Sequence, residues 1–143
     1  MNNIFEALRE SHNKQKHLLS LLANTTGDSD TRRDFYHQLK VELSQHAIAE
    51  ERHFYTPLIN ADMTIEHARH GIAEHHKIDK LIEQLDNRDF SSPTWLSDLK
   101  KLQHLVEHHL EEEEKTFFQL AGKIMTEKQK TVLAQKYQEE MAV

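Results

Sequence analysis

Apolar residues recur along this chain at spacings of three and four, and the stretches that carry them predict five helices. The first, α1, spans about residues 3–23, with Ile4, Phe5, Leu8, Leu19 and Leu22 on one stripe; Asn24-Thr25-Thr26-Gly27-Asp28 ends it in turn residues. Helix α2 starts at Ser29 or Asp30 and runs to about Tyr55, where Pro57 interferes with continuation. Helix α3 takes Asp62 or Thr64 as its cap and reaches about Leu85, before the polar break Asp86-Asn87-Arg88-Asp89. Ser92-Pro93 opens α4, an N-cap followed by proline at the first helical position, and α4 ends near Ala121, before Gly122. A capping box, Thr126 with Gln129, opens α5, which carries Val132, Leu133 and Tyr137. No convincing alternation of apolar and polar residues argues for a strand. The fold class is therefore all-α: an up-down-up-down four-helix bundle with α5 as an accessory, built as one domain over residues 1–143.

The α1–α2 and α3–α4 hairpins read as two copies of one unit. An offset of 63 positions carries His12 onto His75, His46 onto His109, Glu50 onto Glu113 and Glu51 onto Glu114. The same offset carries Leu22 onto Leu85, Leu39 onto Leu102, Phe54 onto Phe117 and Tyr55 onto Phe118. Chemical and apolar positions that match at one offset argue for a duplicated hairpin.

Helical geometry turns successive residues by about 100°. On that wheel His12 falls within the apolar stripe of α1, whereas His17 points away. His75 falls with Ile72, Ile78, Ile82 and Leu85. His46 and Glu50 share a face with Leu39, Leu43 and Phe54, and His109 and Glu113 share one with Leu102, Val106, Phe117 and Leu120. His75 is preferred over His76, and His109 over His108, because their neighbours one turn back are apolar. Glu111 to Glu114 read as a solvated run with Glu113 as the exception. Tyr55 and Trp95 read as packing residues rather than redox groups, and Met125 and Met141 as filler.

A single histidine on an apolar face is ordinarily a packing residue, and one His-x-x-x-Glu is ordinarily a helix ion pair. Four imidazoles and two carboxylates aimed at one interior are different, because unpaired buried charges cost several kcal/mol each and adjacent carboxylates raise each other's pKa. A cation between them resolves the conflict. This ligand set suits first-row metals, zinc and manganese among them.

Composition narrows the chemistry further. Twelve of the 143 residues are histidine and none is cysteine, which excludes disulfides, zinc ribbons and thiolate-held clusters. The net charge of −6, with lysine and arginine scattered among acids, argues against nucleic acid as a partner. The N-terminus lacks a secretory pattern and no apolar run is long enough to span a membrane, so a cytoplasmic location is the default expectation. No phosphate-binding glycine loop or serine–histidine–acid set stands out.

With these residues placed, the sequence resembles the hemerythrin family, specifically the bacterial HHE cation-binding domains. The resemblance runs from about Ile4 to Leu120. It rests on Ser11-His12, on His46 through Glu50-Glu51 followed by Phe54-Tyr55, on Glu74-His75, and on His109 through Glu113-Glu114 followed by Phe117-Phe118. It implies two iron ions, a non-haem di-iron centre with an oxo or hydroxo bridge. His12 and His46 would hold one ion and His75 and His109 the other, with Glu50 and Glu113 shared.

Two departures from the oxygen-carrying members stand out. Gly71 occupies the place of a further histidine one turn before the α3 ligand, and Glu113 stands where those proteins use an aspartate one place later. His67 and His70 lie nearby, His67 closer to the required face. Open metal positions would then admit dioxygen, nitric oxide or peroxide. The expected role is binding or sensing of dioxygen or nitric oxide. Iron-centre repair or peroxide removal is the alternative, although this chain has no cysteine-bearing segment of the kind the repair members carry.

Overall fold

In the computed structural model, five helical rods form the bundle, and residues 3–142 are described. Met1, Asn2 and Val143, which the single-domain reading takes in, lie outside the described residues. Helix α1 is Ile4–Ala23, capped by the Asn3 side chain, which accepts from the Glu6 amide at 3.0 Å. The turn after it uses Gly27 at φ +60°, a conformation glycine adopts without a Cβ penalty. Helix α2 starts at Asp30 behind the Ser29 cap, α4 starts at Pro93 behind Ser92, and α5 is Glu127–Met141 behind the Thr126–Gln129 capping box. Thr64 precedes α3, Ile65–Asp86, but makes no side-chain cap; its hydroxyl donates to the Leu58 carbonyl at 2.7 Å.

Two helices run further than their sequence suggests. α2 is α-helical over Asp30–Glu50, widens into a π turn over Glu51–Tyr55, and continues through Thr56–Leu58. Pro57 does not stop it. A proline needs no amide partner but needs space at the carbonyl four residues back. The wide turn, with the Thr56 amide bonded to the Glu51 carbonyl, has already left the regular ladder there. α4 repeats the device: Pro93–Glu112, a π turn over Glu113–Phe117, then Phe118–Ile124. Gly122 lies inside this last segment, and the helix ends only where Met125 turns to extended backbone.

Helix α1 packs on α2 and α4, α3 packs on α4, and α5 lies across α1 and α2. The apolar interior forms two clusters. One contains Phe5, Leu8, Phe54, Tyr55, Phe117, Phe118, Met125 and Tyr137. The other contains Leu19, Leu39, Leu85, Trp95, Leu99 and Leu102. Each large apolar side chain buried in them contributes about 1.5–3 kcal/mol. At the far end of the second cluster the Arg32 guanidinium is buried, donating to the Thr25 hydroxyl and carbonyl and to the Phe90 carbonyl at 2.6–2.9 Å, and lying over Trp95. It ties the 24–29 and 87–92 connections together. No described helix is long and apolar enough to cross a membrane.

Candidate metal centre

The six side chains singled out by spacing meet in a polar layer between the two apolar clusters. His12, His46, Glu50, His75, His109 and Glu113 are each at most 5% exposed, whereas His76 and His108 face solvent. The imidazoles form two pairs, one from each hairpin: the ring centroids of His12 and His46 are 5.3 Å apart, and those of His75 and His109 are 5.1 Å apart.

Glu50 touches both pairs. Its Oε1 is 3.3 Å from His46 Nε2 and 3.1 Å from His75 Nε2, and its Oε2 is 3.9 Å from His12 Nε2. Glu113 does the same from the opposite hairpin, with Oε1 3.2 Å from His12 Nε2 and Oε2 3.8 Å from His109 Nε2. Two groups that could hold an ion share Glu50: His12, His46 and Glu50, and Glu50, His75 and His109, each with one ligand atom per residue within 4.8 Å of the others.

The inward atoms are close but not hydrogen-bonded. Ten buried side-chain nitrogens and oxygens among the described residues have no hydrogen-bond partner, and seven belong to these six residues: the four Nε2 atoms, both oxygens of Glu50 and Oε1 of Glu113. Buried polar atoms in native proteins are rarely left so, because each costs about 1–3 kcal/mol. Buried nitrogens and oxygens that converge without a hydrogen bond between them are arranged for a shared positive partner, a proton or a cation.

The outward nitrogens are anchored. His12 Nδ1 donates to Glu114 and His75 Nδ1 to Glu51, both at 2.7 Å. His46 Nδ1 shares a hydrogen bond with the Tyr137 hydroxyl at 2.7 Å, and that hydroxyl in turn bonds Ser11 Oγ at 2.6 Å. The carboxylate bonds keep a proton on Nδ1 of His12 and His75, and all three bonds turn Nε2 inward, the arrangement that orients metal-ligating histidines. Glu114 thus departs from the expected solvated run: its side chain is 26% exposed and bonded to His12.

Electrostatics follow from this crowding. Burial opposes charge on His12, but Glu113, Glu114 and Glu50 outweigh it and hold its pKa well above the ordinary histidine range. Burial likewise opposes charge on His75, yet Glu50 and Glu51 raise it to about 10. Burial pulls His46 down, and takes His109, which has weaker carboxylate support, to about 3. Burial and then the adjacent Glu50 push Glu113 up to about 8. The metal-free layer therefore balances its carboxylates with protons on His12, His75 and Glu113, the protons a cation would displace.

Gly71 does not leave the expected room beside the layer. A Cβ there would sit 2.5 Å from both Cζ and the hydroxyl oxygen of Tyr55, so the tyrosine ring fills the space. Tyr55 packs as foreseen, stacked on His75 and Phe117, but its hydroxyl also donates to Glu113. His67 stacks on Phe117 and His70 is exposed; neither joins the six. A cavity of about 370 Å³ runs past both, lined by Glu66, His67, His70, Gly71, Glu112 and Thr116, and ends on His109 and Glu113.

No curated protein matches the sequence. The crystal structure of a hemerythrin HHE cation-binding domain-containing protein, the Rv2633c homolog from Mycobacterium kansasii, is similar in fold, with a TM-score of 0.88 over 99% of this chain and 86% of that one at 24% identity. Residues 3–121 match the family model described as the hemerythrin HHE cation binding domain. With most of its length matched and a buried histidine–glutamate layer inside the bundle, this chain belongs to the hemerythrin HHE cation-binding domain family.

Proposed function

We propose that the chain is a non-haem di-iron protein that binds or senses dioxygen or nitric oxide. His12 and His46 hold one iron, His75 and His109 the other, and Glu50 and Glu113 serve both. The observation that carries this reading is the sharing of Glu50 between two histidine pairs whose inward nitrogens have no hydrogen-bond partner. Imidazole and carboxylate donors also suit zinc and manganese; iron is favoured by the family. When bound, the iron pair supplies redox electrons and a coordination position for a diatomic molecule.

The chain's own residues do the rest. The cavity that ends on His109 and Glu113 gives a small molecule a path from solvent. Glu51, Glu114 and Tyr137 fix three imidazoles from behind. Tyr55 holds an O–H against Glu113, which lines that path. That proton donor supports a second reading, removal of peroxide, in which cleavage of the O–O bond needs a proton.

Anaerobic loading with ferrous iron, followed by metal analysis and absorption spectra before and after dioxygen or nitric oxide, tests the reading. Two irons per chain and a new charge-transfer spectrum are expected. A loaded protein whose spectrum responds to neither gas contradicts it. Peroxide turnover that drops at least tenfold in Tyr55→Phe would favour the second reading.

A further inference from the structure

A second set of ligand-type side chains lies outside the six-residue layer. His70 and Glu74 stand one turn apart on α3 and meet Glu112 of α4. His70 Nε2 is 3.1 Å from Glu74 Oε1 and 3.1 Å from Glu112 Oε2. The other oxygen of Glu112 is 3.4 Å from His108 Nε2, which steadies that carboxylate from its far side. One ligand atom from each of His70, Glu74 and Glu112 lies within 4.8 Å of the others.

Glu74 separates this group from an ordinary surface ion cluster. It is 4% exposed, and its Oε2 is buried without a hydrogen-bond partner. Among the described residues no lysine or arginine pairs with Glu74 or Glu112. One exposed imidazole therefore faces two carboxylates, one of them buried, a donor set that suits a divalent ion.

We propose that His70, Glu74 and Glu112 bind one divalent first-row transition-metal ion, distinct from those of the inner layer. The site stands at the mouth of the cavity, since His70 and Glu112 line its outer part and His109 and Glu113 its inner end. Its imidazole-plus-carboxylate donor set suits zinc or ferrous iron, with water completing the coordination.

Zinc is the probe. Equilibrium dialysis of the full chain against zinc, with metal analysis, is run beside His70→Ala and Glu112→Gln. Both residues are exposed, so neither substitution is expected to disturb folding, and circular dichroism checks this. The unaltered chain should bind one zinc more than either variant, or bind its outermost zinc at least tenfold tighter. Glu74→Gln should show the same loss. The readout is a difference between chains, so it stands whatever the inner layer takes. Equal zinc stoichiometry and affinity in the unaltered chain and in His70→Ala overturn the proposal, and the cluster is then an ion-pair network only.

Discussion

Replacing Gly71 by alanine should destabilise this protein, against the usual direction of that change in a helix. In an open helix interior alanine is better than glycine by about 1 kcal/mol. At Gly71 the new Cβ would lie 2.5 Å from Cζ and the hydroxyl oxygen of Tyr55, and 2.7 Å from Cε2. The tyrosine is wholly buried, stacked on His75 and Phe117 and hydrogen-bonded to Glu113, so the ring has no free direction in which to yield. Overpacking of a core typically costs about 1–3 kcal/mol. A ring held this firmly belongs at the upper end, which leaves a net loss of about 1–2 kcal/mol after the gain in helix propensity. For a chain of this size that is a fall in Tm of roughly 3–8 °C. Gly122→Ala is the control: its nearest contacts, with Phe5, are at 3.9 Å, so the same chemical change should stabilise by up to about 1 kcal/mol. Thermal melts followed by circular dichroism read both. In a Tyr55→Leu background the penalty at Gly71 should vanish, so the two effects should not add. A Gly71→Ala protein that melts at or above the parent temperature would mean that Tyr55 is not held against α3.

Glu114→Ala should weaken metal binding about 10–100-fold by freeing the ring of His12, whereas Glu111→Ala, on the exposed side of the same run, should leave affinity unchanged; competition with a chromophoric chelator measures both. Tyr137→Phe should cost about 1–3 kcal/mol in thermal or urea unfolding, because His46 Nδ1 and Ser11 lose a buried partner together. The metal-free protein should lose stability between pH 7 and 10. His75 is raised from 6.5 to about 10 and Glu113 from 4.5 to about 8, so the stability each contributes is complete below its unfolded value and is lost as pH rises through its folded one. His109 runs the other way: lowered to about 3, its contribution is present above 6.5 and lost as pH falls. Bound metal has already displaced the protons on the raised groups, so the loaded protein should show no such alkaline loss, and a flat melting profile for the metal-free protein over pH 7–10 would count against the charge balance described.

Periodicity was enough to place the six inward side chains, because five sit on regular α-helix and Glu113 is only the first residue of its π turn, each beside apolar neighbours one turn away. It failed just beyond Glu50 and Glu113. There each helix widens into a π turn, and the extra residue per turn rotates every later side chain, so a regular wheel misassigns the hydroxyl of Tyr55. Glu51 and Glu114 were matched by the 63-residue offset, but their half-exposed positions carried no signal of a bond to a histidine from another helix. Gly71 was legible as a missing side chain; the ring that fills its place comes from α2, and only tertiary contact reveals it. The caps at Ser29, Ser92 and Thr126 were readable because capping is local chemistry. Pro57 misled because its effect depends on the turn in front of it.

Tyr137 gives the last helix a weight that its place in the chain conceals. The family match ends at residue 121, before α5 begins, yet α5 supplies the oxygen that orients His46 and adds Ala134 and Tyr137 to the first apolar cluster. A boundary drawn at the match would separate a histidine from the group that aims it. The segment outside the family match thus orients one of the six inward side chains. Two chains alike up to residue 121 could hold the same metal with different strength, according to whether their final helix brings a hydroxyl to that histidine.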